Sequence, residues 1–462
     1  MIHESSLTDL AEAIRTGDLS AREVVVHYLD RSHALQPELN AYTEIDENAI
    51  ARAESLDSSL AAGNDSGRLA GVPIAIKDLI DQAGVINTCG SGFYRHRAEQ
   101  SATAVQRLEA AGAIIIGRTG LHEFAFGFSS ENHWFGPVRN PWNTATSPGG
   151  SSGGSAVAVA AGLATAAIGT DTGGSVRVPA ALCGVAGLKV THGRIPLTGV
   201  FPLAASLDTV GPLGRTVDDL TTLYEVMAGH DPLDPWSSTD PVVPSATDVS
   251  LKGLAVGVPQ PWIENGPMAE DVKEAFSAAL DRLNDLGASV REVRHPLLQP
   301  SGELADLINA EVASVHRNWL ADPTKQYGPE VADRMQRTLE ATLDDYIAAQ
   351  EWRAGLRNAT AGFFEELDVL VTPTVGATRK TIGETTILVE DQPRSYRLVF
   401  SWFSSLVNHM GAPALAMPLR NAGAPPPSLQ VIGPWWSEHR LLGLGRALEE
   451  VGLVEFRPPP TW

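Results

Sequence analysis

Only two cysteines, Cys89 and Cys183, occur in 462 residues, which argues against a disulfide framework or a multi-cysteine metal site. Basic residues are also scarce: 34 Lys and Arg stand against 55 Asp and Glu, for a formal net charge of −21. That balance leaves no basic stripe, so no nucleic-acid partner is expected. Acidity of this kind serves solubility and says little about the fold. No stretch reaches the roughly 18 uninterrupted apolar residues of a membrane span; Val157 to Ala167 is apolar but short, and Gly162 interrupts it. The opening residues Met1-Ile2-His3-Glu4-Ser5-Ser6 lack a basic region followed by an apolar one, so no secretory signal is read and a cytoplasmic location is expected. His122 and Glu123 stand side by side without the H-E-x-x-H spacing of a zinc helix, so they are read as structural, and no metal or other cofactor is expected.

What the chain does have is glycine packed around serine, twice. One stretch reads Ser147-Pro148-Gly149-Gly150-Ser151-Ser152-Gly153-Gly154-Ser155, and a second Gly169-Thr170-Asp171-Thr172-Gly173-Gly174-Ser175-Val176-Arg177. Such turns let backbone N–H groups approach a reacting oxygen, as an oxyanion hole requires. Upstream lies Gly71-Val72-Pro73-Ile74-Ala75-Ile76-Lys77-Asp78, an apolar run ending on a lysine. Desolvation at the end of a buried strand disfavours the charged lysine and makes it a candidate base.

Other readings of these residues stand beside that one. A Gly/Ser cluster alone is usually a flexible loop, although this one is flanked by patterned segments. A phosphate-binding P-loop needs a Gly-Lys-Ser/Thr ending, which is absent. Gly150-Ser151-Ser152-Gly153-Gly154 also matches the G-x-S-x-G nucleophile elbow, with Ser152 at its centre. That elbow follows a strand, whereas Arg139 to Thr144 is a proline-broken loop, and it leaves Lys77 and the second turn unexplained.

Together the three segments resemble the amidase signature family, and Gly71–Gly92, Gly117–Asn140, Ser147–Pro212 and Asn408–Gly433 extend the likeness over most of the chain. The resemblance implies an α/β fold with a large central mixed β-sheet covered by helices on both faces. It also implies one domain over 1–462, with a core at 60–230 and 395–462 and a helical lobe or layer at 300–366. It gives Lys77 as base, Ser151 as a bridging serine in a cis peptide, and Ser175 as nucleophile. The backbone N–H groups of Thr172, Gly173, Gly174 and Ser175 would form the oxyanion hole. Asp171 and Arg177 would be buried and shape the turn. A serine attacks a carbonyl poorly until a neighbour takes its proton; neutral Lys77 would do so through Ser151, then return a proton to the leaving nitrogen.

The stretch Leu121 to Ser130 resembles a family loop lining the acyl side of the site. Ala125, Phe126, Gly127 and Phe128, with Ser152, are the candidate substrate contacts. The phenylalanines suggest a hydrophobic or aryl acyl group, with core packing as the competing account. Trp435-Trp436 follows Gly433-Pro434 in a loop, with edge packing set against stacking on substrate. The expectation is a free-standing hydrolase, monomeric or homodimeric, cleaving a small-molecule amide or a carbamate (a urethane) through an acyl-enzyme. The alternatives are a glutaminase subunit of a tRNA-dependent amidotransferase, which needs a partner, and a non-catalytic scaffold.

Along the chain, Ser20-x-x-Glu23 and Thr216-x-x-Asp219 are capping boxes that open helices. Helices are expected over Thr103–Ala111 and Ser152–Ala161 and before Leu286, and mostly helical pattern over Leu304–Glu366. Strands are expected at 113–116, 164–168, 254–258, 289–293, 368–372, 414–418 and 429–432, with 230–250 as a connector.

Overall fold

A computed structural model of the chain describes residues 1–64, 66–247, 249–420 and 423–460. Among them eleven strands form one sheet. In chain order they are β1 (Tyr42–Ile45), β2 (Pro73–Lys77), β3 (Ile114–Thr119), β4 (Ala166–Thr170), β5 (Ala186–Lys189) and β6 (Val210–Gly214). They continue as β7 (Ala255–Gln260), β8 (Ser289–Arg294), β9 (Val369–Pro373), β10 (Ala414–Pro418) and β11 (Ser428–Ile432). Across the sheet the order is β1-β3-β2-β4-β6-β5-β10-β11-β9-β7-β8. The runs β3-β2-β4 and β9-β7-β8 are parallel, and the remaining neighbours are antiparallel. This is the mixed sheet that the resemblance implies.

The central strands are buried end to end, as in β2 and β4, and therefore read as near-continuous apolar runs rather than alternating ones. Side chains still point to opposite faces along each strand. Ile74 and Ile76 enter one core with Ile115 and Ile168, while Ala75 enters another with Ile114, Ile116 and Ala167. Both faces are thus covered. The second core includes the helix Gly153–Ala160, buried at every position.

Both capping boxes form: Ser20 with Glu23 opens Ala21–Leu39, and Thr216 with Asp219 opens Val217–Met227. The expected strands and helices are present with ends shifted by a few residues. In the 304–366 region the helix Gly302–Leu320 packs on both Pro329–Thr338 and Leu343–Phe363, and it and Leu343–Phe363 pack on the helix Ser405–Met410. No helix or strand occurs among the described residues of 230–250.

This topology brings two strand ends together. Lys77 closes β2 and Thr170 closes β4, so both lie at the carboxyl edge of adjacent parallel strands. That edge is where open α/β sheets bind ligands.

Candidate active site

Lys77 is fully buried, and its Nζ donates to Ser151 Oγ at 2.7 Å and to Thr170 Oγ1 at 2.9 Å. Burial pushes its pKa down to about 7, against the upward pull of Asp171 and Asp208. Near neutral pH a large share of Lys77 is therefore the free amine, which can accept a proton.

Ser151 follows a cis peptide bond from Gly150. Its carbonyl accepts from the His122 N–H and the Ser130 hydroxyl, both at 3.2 Å. Ser175 lies on the next turn of the site: its carbonyl accepts the Ser152 N–H at 3.2 Å, which holds the two serine turns side by side. Ser175 is 3% exposed. Its hydroxyl makes no hydrogen bond among the described residues, so the link between Lys77 and Ser151 is present and that from Ser151 to Ser175 is not.

The second turn is built on Asp171. Its carboxylate accepts from the N–H groups of Gly174 (2.8 Å), Val176 and Arg177, and from Asn408 Nδ2 at 2.9 Å. Arg177 completes the set with a bidentate pair at 2.9 and 2.8 Å, the strongest geometry open to a carboxylate. Burial by itself would raise the Asp171 carboxyl, but Arg177 and these donors hold it below the usual carboxylate range. Both side chains are fully buried. Thr172 is anchored through its hydroxyl to Asp208.

Two residues assigned from the sequence have hydrogen-bond partners within the fold. The Gly174 N–H is taken by Asp171, which leaves Thr172, Gly173 and Ser175 as the turn N–H groups without a hydrogen-bond partner among the described residues. Ser152 is fully buried; its hydroxyl donates to Thr170 O at 3.2 Å and accepts from Thr170 N at 3.3 Å. Ser152 thus ties the helix start to β4.

The loop after β3 divides in a similar way. Ala125 is buried at φ 58°. Gly127 lies flat on the His122 ring, where an added Cβ would sit 2.2 Å from Nε2. Its smallness thus makes room for the His122 ring. Phe126 and Phe128 keep partly exposed rings. Phe128 reaches the nucleophile turn, with its Cζ 3.5 Å from where a Cβ on Gly173 would be. Glu123 accepts from Trp134 Nε1 and the Gly328 N–H, so it fastens this loop to the start of the Pro329–Thr338 helix. Trp435 donates to Met410 O and Trp436 lies under the Arg194 guanidinium; both pack at an edge.

Several residues here carried no signal in the sequence. Arg334, from the lobe, lies 4.7 Å over the Phe126 ring and contacts His122 Nε2 at 3.3 Å. Its Nε is buried without a partner, and it forms no ion pair among the described residues. Burial, with the like charge of Arg397, pushes it down to about 9, the mark of a guanidinium short of a counter-charge. Burial and Arg334 in turn keep His122 neutral, well below its ordinary value. A groove of about 380 Å³ opens beside Phe126 and Arg334.

A family model described as Amidase matches residues 23–442. The chain belongs to the amidase family. As a member of that family it is a hydrolase acting on amide C–N bonds. It is 39% identical to the A-subunit of the glutamyl-tRNA(Gln) amidotransferase from Roseiflexus sp. strain RS-1, over 98% of this chain and 97% of the relative. Among solved amidase-like folds, a chain from a vestigial protein complex bearing on the origins of an s-triazine catabolic enzyme superposes with TM-score 0.92. It is 33% identical and is covered in full by 98% of this chain. The native peptide amidase of Stenotrophomonas maltophilia gives TM-score 0.83 at 30% identity, over 99% of this chain and 98% of that one. Among the described residues no helix is long and apolar enough to cross a membrane.

Proposed function

We propose that the chain cleaves amides through an acyl-enzyme on Ser175, with Lys77 and Ser151 as the proton relay. The observation carrying this reading is the buried contact of Lys77 Nζ with Ser151 Oγ at 2.7 Å, made by an amine whose pKa burial lowers to about 7. Neutral Lys77 takes the Ser151 proton as Ser151 takes that of Ser175, and Ser175 Oγ bonds to the carbonyl carbon. The carbonyl electron pair moves to oxygen, facing the free N–H groups of the Thr172–Ser175 turn. On collapse the relay runs backwards, the nitrogen leaves protonated, and water then hydrolyses the ester by the same steps. The relay needs neither histidine nor metal.

Two substrate readings stand: a hydrophobic or aryl amide or urethane in a free-standing enzyme, and glutamine in an amidotransferase component that works with a partner. Phe128 at the nucleophile turn supports the first. The second has more behind it, because the Roseiflexus relative is such a component and matches over nearly its whole length. Arg334 adds to it, since a half-buried guanidinium that forms no ion pair among the described residues and lies beside the acyl loop suits a substrate carrying a carboxylate.

The chain, purified alone and also together with any subunit that copurifies with it, offered glutamine, an anilide, an aliphatic amide and a urethane tests both. Glutamine is expected to be hydrolysed, with Arg334→Met raising its KM at least tenfold and leaving the anilide unaffected. Faster turnover of the anilide or urethane, indifferent to Arg334, would instead establish the free-standing reading.

A further inference from the structure

The Gly173–Gly174 peptide is gripped from both sides. On one side the carbonyl of Gly173 accepts two hydroxyls, Ser404 Oγ at 2.8 Å and Ser405 Oγ at 2.9 Å. On the other the N–H of Gly174 donates to Asp171 Oδ1 at 2.8 Å. A trans peptide is planar with its C=O and N–H pointing opposite ways, so bonds at both ends fix the rotation of the plane. Both serines are buried. They belong to a segment that is itself tied down. Gln430 Nε2 donates to Phe403 O at 2.6 Å, and Asn408 Nδ2 donates to Asp171 O at 2.9 Å.

We propose that Ser404 and Ser405 are positioning residues for the oxyanion hole: by holding the Gly173 carbonyl away from the site they aim the flanking N–H groups of Gly173 and Ser175 at the reacting oxygen. The proposal rests on the reading of Ser175 as nucleophile. Its geometry also explains the glycine at 174, which has φ +127°. A Cβ there would lie 2.2 Å from Ser404 Oγ, so a side chain at 174 and the clamp exclude each other. Release of the clamped peptide would let the Gly173 carbonyl turn toward the developing charge and loosen the two flanking donors, without disturbing Lys77, Ser151 or the acyl loop. Substrate binding would survive, and the transition state would lose its stabilisation.

The test uses the whole chain, a nitrophenyl ester, a phosphonofluoridate that marks the nucleophile, and a trifluoromethyl ketone whose adduct oxygen occupies the oxyanion hole. Ser404→Ala/Ser405→Ala is expected to lower kcat by about 10²–10³-fold, the usual effect of losing an oxyanion donor, with KM within about twofold. Affinity for the ketone should fall in parallel, and the pH limb set by Lys77 should stay in place. Each single variant keeps one hydroxyl on the carbonyl and is expected to lose kcat by a smaller, measurable factor, so the singles decide the matter if the double variant does not fold. Ser405→Thr, which retains the hydroxyl, is expected to recover most of what Ser405→Ala loses.

A folded double variant, or folded singles, with wild-type kcat would overturn the clamp. So would a loss carried by KM, or a loss of kcat with ketone affinity intact. Phosphonylation at a residue other than Ser175 would overturn the functional reading itself and the clamp with it, whatever the serine variants do.

Discussion

A lysine at the end of a strand paired on both sides has no route for its ammonium to water, and Lys77 shows the consequence. Its two partners are hydroxyls, Ser151 and Thr170, and neither supplies a counter-charge. In the proposed relay it removes a proton from the nucleophile and returns one to the leaving group. A nitrophenolate leaves unaided, so an ester needs only the first service, whereas an amine needs both. Lys77→Ala is therefore expected to reduce amide hydrolysis by a further ~10²–10⁴-fold beyond its effect on an ester with the same acyl group. Because the free amine is the active form, wild-type activity should rise with pH through about 7 and level off above it, and that limb should vanish in the variant. Steady-state kinetics on a matched ester and amide across pH reads both effects. Equal losses would make Lys77 structural.

At the scale of elements, the buried helix Gly153–Ala160 carries Ser152 at its start and leaves no room for growth. A Cβ on Gly154 would lie 2.4 Å from Ala41 O and 2.5 Å from the backbone of Gly120. Alanine is the better helix former by up to about 1 kcal/mol, but these contacts are to backbone atoms that cannot step aside, and overpacking costs about 1–3 kcal/mol. The steric effect wins: Gly154→Ala is expected to lower the urea midpoint, and a raised midpoint would contradict this packing. Such elements were legible in the sequence where one local rule decided them. The apolar run Pro73–Lys77, the strand Ala414–Pro418 and the capping boxes at Ser20 and Thr216 are of this kind. The strands Ala186–Lys189 and Val210–Gly214 were not, because their glycines mark close approach to other chain segments. A Cβ on Gly211 would meet Leu188 O at 2.3 Å, a fact only the folded sheet reveals. The hairpin Thr386–Val389/Gln392–Ser395 was hidden for a different reason. It turns on Glu390 and Asp391, both at positive φ, where Asn-Gly would have announced it. In the site, Lys77 stood out as a candidate from its apolar run and Ser151 and Ser175 from their glycine-rich turns, whereas Arg334, Ser404 and Ser405 reach it only through long-range contacts that no local pattern carries.

The molecule as a whole hides ionisable groups on a scale that its unfolding must register. Lys77 and Lys189 are both fully buried, and burial pushes each down to about 7; in the unfolded chain a lysine titrates near about 10.4. Between those values the unfolded chain binds protons that the folded chain does not. Stability must therefore rise with pH across that window, by up to about 1.4 kcal/mol per pH unit for each lysine. Burial likewise lowers His192 and His316 to about 4, which extends the same sign of slope downward from their unfolded pKa of about 6.5. The tyrosines act in the opposite sense. Burial raises Tyr42, Tyr94 and Tyr224, so stability is lost once unfolded tyrosines ionise above about 10. Urea unfolding is thus expected to show stability climbing from neutral pH into mild alkali, the window the two lysines span. Lys189 isolates one contribution, because among the described residues its Nζ donates only to the carbonyls of Val190 and Ala412, outside the proposed relay. Lys189→Met leaves those carbonyls unpaired, an offset that does not depend on pH, and removes one proton from the difference between the two states. Whatever the size of that offset, the stability of the variant should climb less steeply than that of wild type between pH 7 and 9. Parallel curves would mean that Lys189 is charged inside the fold, held by Asp171 and Glu438 against the cost of its burial.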